Sequence, residues 1–96
     1  MTNIQANRTL QEARTSLAGP DVLAAARTFF SRQSGIYAAF PEQEGPTHLS
    51  LRGLGGEEVV VGVAAADGGT AVTASSYMFD QQVAMFLASL PPAGGK

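Results

Sequence analysis

The stretch EEVVVGVAAADGGTAVTASSY, residues 57–77, decides the fold. Val59, Val60, Val61 and Val63 are β-branched residues that suit a pleated surface better than a helix. Asp67-Gly68-Gly69 follows at once, the composition of a tight hairpin turn. The chain then returns from Thr70 to Tyr77, with Val72 and Ala74 alternating against Ala71, Thr73 and Ser75. Two strands joined by so short a turn run antiparallel, because a parallel crossover needs about a dozen or more connecting residues.

Upstream the alternation continues. Gly53, Gly55 and Gly56 interrupt it, and before them His48, Ser50 and Arg52 alternate with Leu49 and Leu51. That pattern belongs to a strand with one face in water. Residues 42–46 read as a polar turn, and Ile36 to Phe40 read as a further strand that Pro41 ends. A four-strand meander follows, whose inward residues are expected to be Ile36, Phe40, Leu49, Leu51, Val59, Val61, Val63 and Val72.

Outside the meander the period changes from 2 to 3.6. From Pro20 to Gln33, residues Val22, Leu23, Ala26, Phe29, Phe30 and Gln33 share one arc of a helix. Pro20 and Asp21 suit its first turn, and Gly35 its terminator. From Phe79 to Leu90, Phe79, Val83, Phe86, Leu87 and Leu90 form a second stripe, with Asp80 placed to cap it and Pro91-Pro92 to stop it. Leu10, Ala13 and Leu17 recur at helical spacing between Ile4 and Ala18, so a short third helix, or an arm, is expected there. The fold class is then α+β: a two-layer sandwich in the order α-α-β-β-β-β-α, with helices covering one face of an antiparallel sheet. Residues 1–19 form the N-terminal weak helix or arm, 20–92 a single domain and 93–96 a loose tail.

Composition narrows the function. In 96 residues, apolar types make up 45% and charged types 15%, with a net charge of −2, so the chain has the means to build a core and no excess of cations to displace phosphate counterions. No nucleic-acid role is expected. With no Cys and one His, thiolate chemistry, disulfides and His-rich metal centres are excluded. No apolar run reaches the ~18–20 residues of a membrane span, and the polar start is unlike a signal peptide, so the cytoplasm is the expected location. Charge is divided: residues 1–34 carry a net of +2 and residues 35–96 a net of −4.

The candidate chemistry is sparse. His48, Ser50 and Arg52 project from one side of a strand, but same-face neighbours stand roughly 6.5–7 Å apart, too far for a direct Ser–His bond. Glu57 and Glu58 point to opposite faces and cannot share a proton or flank one bond. Glu42 and Glu44, with His48 nearby, lack an established ligand spacing. Gly53-Leu54-Gly55-Gly56 opens into two glutamates and a strand, whereas a phosphate cradle opens into a helix N-terminus. No catalytic, cofactor-binding or metal-ligating residue is assigned, and the chain reads as a non-enzyme.

What remains is surface. The outward set comprises Tyr37 and Ala39, then His48, Ser50, Arg52 and Leu54, then Glu58, Val60, Gly62, Ala64 and Ala66, then Ala71, Thr73, Ser75 and Tyr77. Exposed strands ordinarily carry Lys, Glu, Thr and Arg, and this face has no Lys. A flat surface of Val, Ala, Gly and Thr approaches another sheet closely. The chain is therefore read as an interaction or assembly module, self-associating or an accessory subunit, with Tyr37, Val60, Gly62, Ala64, Thr73 and Tyr77 at the contact.

The run Gly68-Gly69-Thr70-Ala71-Val72-Thr73, after a Val-rich strand and before a C-terminal amphipathic helix, resembles the end of helix-grip proteins of the START and polyketide-cyclase-like superfamily over about residues 57–90. The resemblance implies a closing helix laid across a curved sheet, with an apolar ligand between them. On that alternative, a small carrier or cyclase-like protein, Leu51, Met78, Phe79, Val83 and Phe86 line the pocket and Tyr37, His48 or Arg52 supply polar contacts at its mouth. The chain departs from the pattern in its smaller sheet and its short closing helix.

Overall fold

Five antiparallel strands, in the spatial order Thr9–Thr15, Gly69–Tyr77, Glu58–Ala66, His48–Gly53 and Ala39–Glu44, form one sheet with two helices on a single face. The computed structural model describes residues 9–33 and 38–93. In chain order the elements are β1 (Thr9–Thr15), α1 (Gly19–Thr28) with a π-helical turn (Phe29–Gln33), β2 (Ala39–Glu44), β3 (His48–Gly53), β4 (Glu58–Ala66), β5 (Gly69–Tyr77) and α2 (Asp80–Ser89). The class is α+β, as the periodicities indicate. The expected four-strand meander and α-α-β-β-β-β-α order give way to five strands in the order β-α-β-β-β-β-α.

The first correction is β1. The segment expected as a helix pairs with β5 instead, from Thr9 opposite Ser76 to Thr15 opposite Thr70. Its inward side chains are Gln11, Ala13 and Thr15, too polar to announce a buried strand. Each polar group there finds a partner. Gln11 Nε2 donates to the Asp80 carbonyl at 3.0 Å, and the buried Thr15 hydroxyl accepts from the Leu17 amide at 3.3 Å. Thr70 Oγ1 donates in turn to the Leu17 carbonyl at 2.6 Å. Leu10, read as part of an apolar stripe, is 63% exposed.

β2 is the second correction. The strand begins at Ala39, runs through Pro41 to Glu44 and carries a register shift between Pro41 and Gln43. Ala39 is fully buried and Phe40 exposed, the reverse of the expected phase. Ile36, Tyr37 and Gly35 lie outside the described residues. The bulge also separates two glutamates: Glu42 pairs with Arg52, while Glu44 pairs with Arg27 on α1.

The core lies between the helices and the inner side of the sheet. Val22, Leu23, Ala26 and Phe30 from the α1 segment and Phe79, Val83 and Phe86 around α2 pack on Leu49, Leu51, Val59, Val61, Val72 and Ala74. α1 sits over β4 and β3, and α2 over β5 and β1. The helix expected over 20–33 widens after Thr28. Ser31 Oγ donates to the Arg27 carbonyl at 2.6 Å, competing for an acceptor of the ordinary i→i−4 ladder. The wider turn brings the neighbouring Phe29 and Phe30 rings both against Phe86, with centroids at 5.6 and 5.7 Å.

Asp80 is the third correction. It occupies the first helical position, behind Phe79, and gives no side-chain cap to the helix. Its Oδ1 accepts instead from the buried Ser76 hydroxyl at 3.0 Å, tying the start of α2 to β5. At the hairpin tip, Gly69 has φ 152°, and a Cβ there would stand 2.0 Å from the Thr15 carbonyl oxygen, so only glycine lets β1 approach this closely.

Candidate interaction surface

The strand registers fix the sheet face opposite the helices row by row. Arg14, Ala71 and Ala64 form the first row, and Glu12, Thr73, Gly62 and His48 the second. Leu10, Ser75, Val60, Ser50 and Gln43 form the third, and Tyr77, Glu58, Arg52 and Phe40 the fourth. Alternation puts all of them on one side because their strand neighbours Val59, Val61, Val72 and Ala74 fill the core. No described element crosses this face.

Along the two central strands, β4 and β5, Glu58 is the one charged outward residue. The charges gather at the margins, with Glu12 and Arg14 on β1 and a cluster on β3 and β2. In that cluster Arg52 donates from Nη2 to Glu42 Oε1 at 2.9 Å and from Nε to the same carboxylate at 3.2 Å, with Glu58 Oε2 at 3.8 Å. The Glu42 hydrogen bonds and charge, with a smaller contribution from Glu58, hold the guanidinium above its ordinary pKa, against the lowering effect of desolvation. All three groups are partly in water, where such pairs contribute little to stability.

Of the residues expected at the contact, Val60, Gly62, Ala64, Thr73 and Tyr77 share this face, and Tyr37 lies outside the described residues. Ala39 is corrected to the core, and Leu54 to the β3–β4 turn, where it is 88% exposed. Leu10 and Phe40 belong to the face, although the sequence reading set Leu10 in a short helix or arm and Phe40 inside. Their signal was hidden because β1 lacks an alternating hydropathy and because in β2 it is the small Ala39, opposite Gly53, that faces the core, which leaves the larger Phe40 outside.

The residues of the ligand-pocket alternative lie elsewhere. Leu51, Phe79, Val83 and Phe86 are buried in the packed core, and Met78 is two-thirds exposed before α2. His48 and Arg52 sit on the outer face, away from the helices. A mainly apolar surface cleft of about 360 Å³ lies where the start of α1 meets the ends of β4 and β5, beside Pro20, Pro46, Val63 and Thr70.

Among the described residues, each edge of the sheet is interrupted at one place. Thr15 of β1 bridges to Pro92 beyond α2, and β2 carries Pro41 and its bulge. Both are devices that discourage strand addition.

Glu57 and His48 are engaged within the fold. In the Gly53–Gly56 turn, Glu57 Oε1 accepts from the Gly55 amide at 3.0 Å, so a carboxylate occupies a donor that a phosphate would use. The His48 imidazole packs over Gly45, where an added Cβ would stand 2.5 Å from the ring. Among the described residues no three His, Asp or Glu side chains converge as metal ligands, and no helix is long and apolar enough to cross a membrane.

No protein-family model, characterised protein or solved structure matches this chain.

Proposed function

We propose that the protein is a small, non-enzymatic interaction module that works by presenting the outer face of its sheet to another protein surface. The observation that carries this reading is the distribution of charge on that face. A continuous strip of Ala64, Ala71, Thr73, Gly62, Val60 and Ser75 is uncharged, while Arg14, Glu12, Arg52 and Glu42 stand around it. A low-charge centre inside a polar rim is the anatomy of a protein contact. On the β2 side, Pro41 and the bulge disfavour strand addition and so favour the face as the route of association.

The alternative of an apolar-ligand carrier draws on the helix-grip resemblance alone. The volume it needs is taken by Leu51, Phe79, Val83 and Phe86, all buried in the one packed core.

The test is the solution mass of the untagged chain, purified and added to extract of its own cells, for the native sequence and for Ala64→Glu. Ala64 is exposed, so the substitution leaves the core alone and places a desolvated carboxylate only in a contact. The native chain is expected to run above its 9.9 kDa monomer mass, and Ala64→Glu to return to it with an unchanged circular dichroism spectrum. A native chain that runs as a 9.9 kDa monomer in both settings overturns the reading.

A further inference from the structure

The backbone of β1 has an open side, and the strand registers say which residues face it. The Val63 N–H donates to the Thr47 carbonyl at 2.9 Å, so odd-numbered residues of β4 turn their backbone groups to β3 and even-numbered ones to β5. Gly62 stands opposite Thr73, which turns the odd-numbered residues of β5 to β4 and leaves the even-numbered ones for β1. Val72 stands opposite Ala13, so the odd-numbered residues of β1 bond to β5, while Leu10, Glu12 and Arg14 turn their N–H and C=O groups away from the sheet. The bridge from Thr15 to Pro92 agrees. Proline has no N–H, so the bonds of that bridge fall to the residues flanking Thr15, namely Arg14 and Ser16, on the same open side.

Beyond the outer face, we infer that this stretch of the β1 edge is a docking site for an extended segment of a partner protein, which pairs antiparallel with Leu10 and Glu12 as an added strand. The backbone groups of Leu10 and Glu12 have no partner among the described residues, and they recur at the ~6.8 Å spacing that a peptide backbone matches. The edge already takes an antiparallel segment at its far end, where Pro92 lies against Thr15. From Leu10 to Arg14 the strand has neither the proline nor the bulge that guards β2.

Side chains set the preference. On the outer side Glu12 has no ion-pair partner among the described residues, and Leu10 is 63% exposed. An incoming antiparallel strand therefore favours a lysine or arginine opposite Glu12 and, two residues later, an apolar residue opposite Leu10. The β1 of a second copy fits less well. Centred on Glu12, it sets like charges together and carries the copy's Thr9 into the place of Pro92. Centred on Gln11, it sets Glu12 on the copy's Leu10, and centred on Leu10 it overlaps β1 over residues 9–11 alone.

The probe is an end-blocked peptide of threonines that carries one lysine and, two residues later, one valine, titrated into the isotope-labelled native chain. The amide resonances of Leu10 and Glu12 are expected to shift and their hydrogen exchange to slow. N-methylation of the lysine and valine amides removes the two N–H groups aimed at β1 and is expected to weaken binding by about tenfold or more. N-methylation of the threonine between them, whose N–H points away, is expected to change it little. Glu12→Lys is expected to reverse the preference between this peptide and one with glutamate in place of its lysine. Equal weakening by the two methylations overturns the pairing, and unmoved Leu10 and Glu12 amides at millimolar peptide overturn the site. If those amides exchange slowly before any peptide is added, the edge is covered by the chain itself or a second copy, and the partner strand is overturned. These readouts concern β1 alone, so the outer-face reading stands or falls separately on its own mass measurement.

Discussion

Met78 has φ 80°, the left-handed region, and is the one non-glycine among the described residues to do so. It has to. β5 ends at Tyr77 and α2 starts at Asp80, and this short connection must swing the chain back over the inner face while Ser76 already holds Asp80. For a residue with a Cβ that conformation costs roughly 1–2 kcal/mol. The side chain is 67% exposed and recovers little by burial. Met78→Gly is therefore expected to stabilise the fold by about 0.5–1 kcal/mol, after the greater freedom of glycine in the unfolded chain is subtracted. Urea unfolding should show a higher midpoint with an unchanged slope, and a lower midpoint contradicts the argument. Gly69 makes the opposite case: at φ 152° and against the Thr15 carbonyl, no side chain replaces it.

At the scale of elements, the strands β3, β4 and β5 and the cores of both helices were legible because each has a strong period of 2 or 3.6. Val59, Val61, Val72, Leu49 and Leu51 face inward as their alternation requires, and Val22, Ala26, Phe30, Val83 and Phe86 as theirs does. β1 was not legible. Leu10, Ala13 and Leu17 happen to fall at helical spacing, whereas the strand buries Gln11 and Thr15 through hydrogen bonds that hydropathy does not register. The open edge of β5 decides its structure, and that edge exists only once the other strands have paired. The candidate face was legible where its strands were, at Val60, Gly62, Ala64 and Thr73, and not at Leu10 or Phe40. One substitution separates the two readings of β1. As a helical core residue, Leu10→Lys would cost ~2–5 kcal/mol. As an exposed strand residue it should change stability by less than about 0.5 kcal/mol. Urea unfolding in the Ala64→Glu background, chosen to exclude any association through the outer face, measures this, and a large loss sinks the strand.

At the scale of the whole molecule, a sheet with helices on one side stabilises only half of its surface. A chain of 96 residues has little reserve, since small domains bury a smaller fraction of their unfolded area than large ones. On the proposed reading, a second copy covering the outer face adds apolar burial and ties stability to concentration, because mass action favours a folded dimer over two unfolded chains. Each tenfold rise in concentration is worth about 1.4 kcal/mol per mole of dimer, or about 0.7 per chain. At ~4–8 °C per kcal/mol for a domain of this size, the native Tm is expected to climb by about 3–6 °C per decade where dissociation and unfolding are coupled. The Ala64→Glu variant should melt at a lower temperature that does not move with concentration. Scanning calorimetry or tryptophan-free far-ultraviolet dichroism across two decades reads both. A native Tm that stays flat over that range means the outer face contributes nothing through its own copy, and the stability of the two-layer fold must then come from the helix-covered side alone.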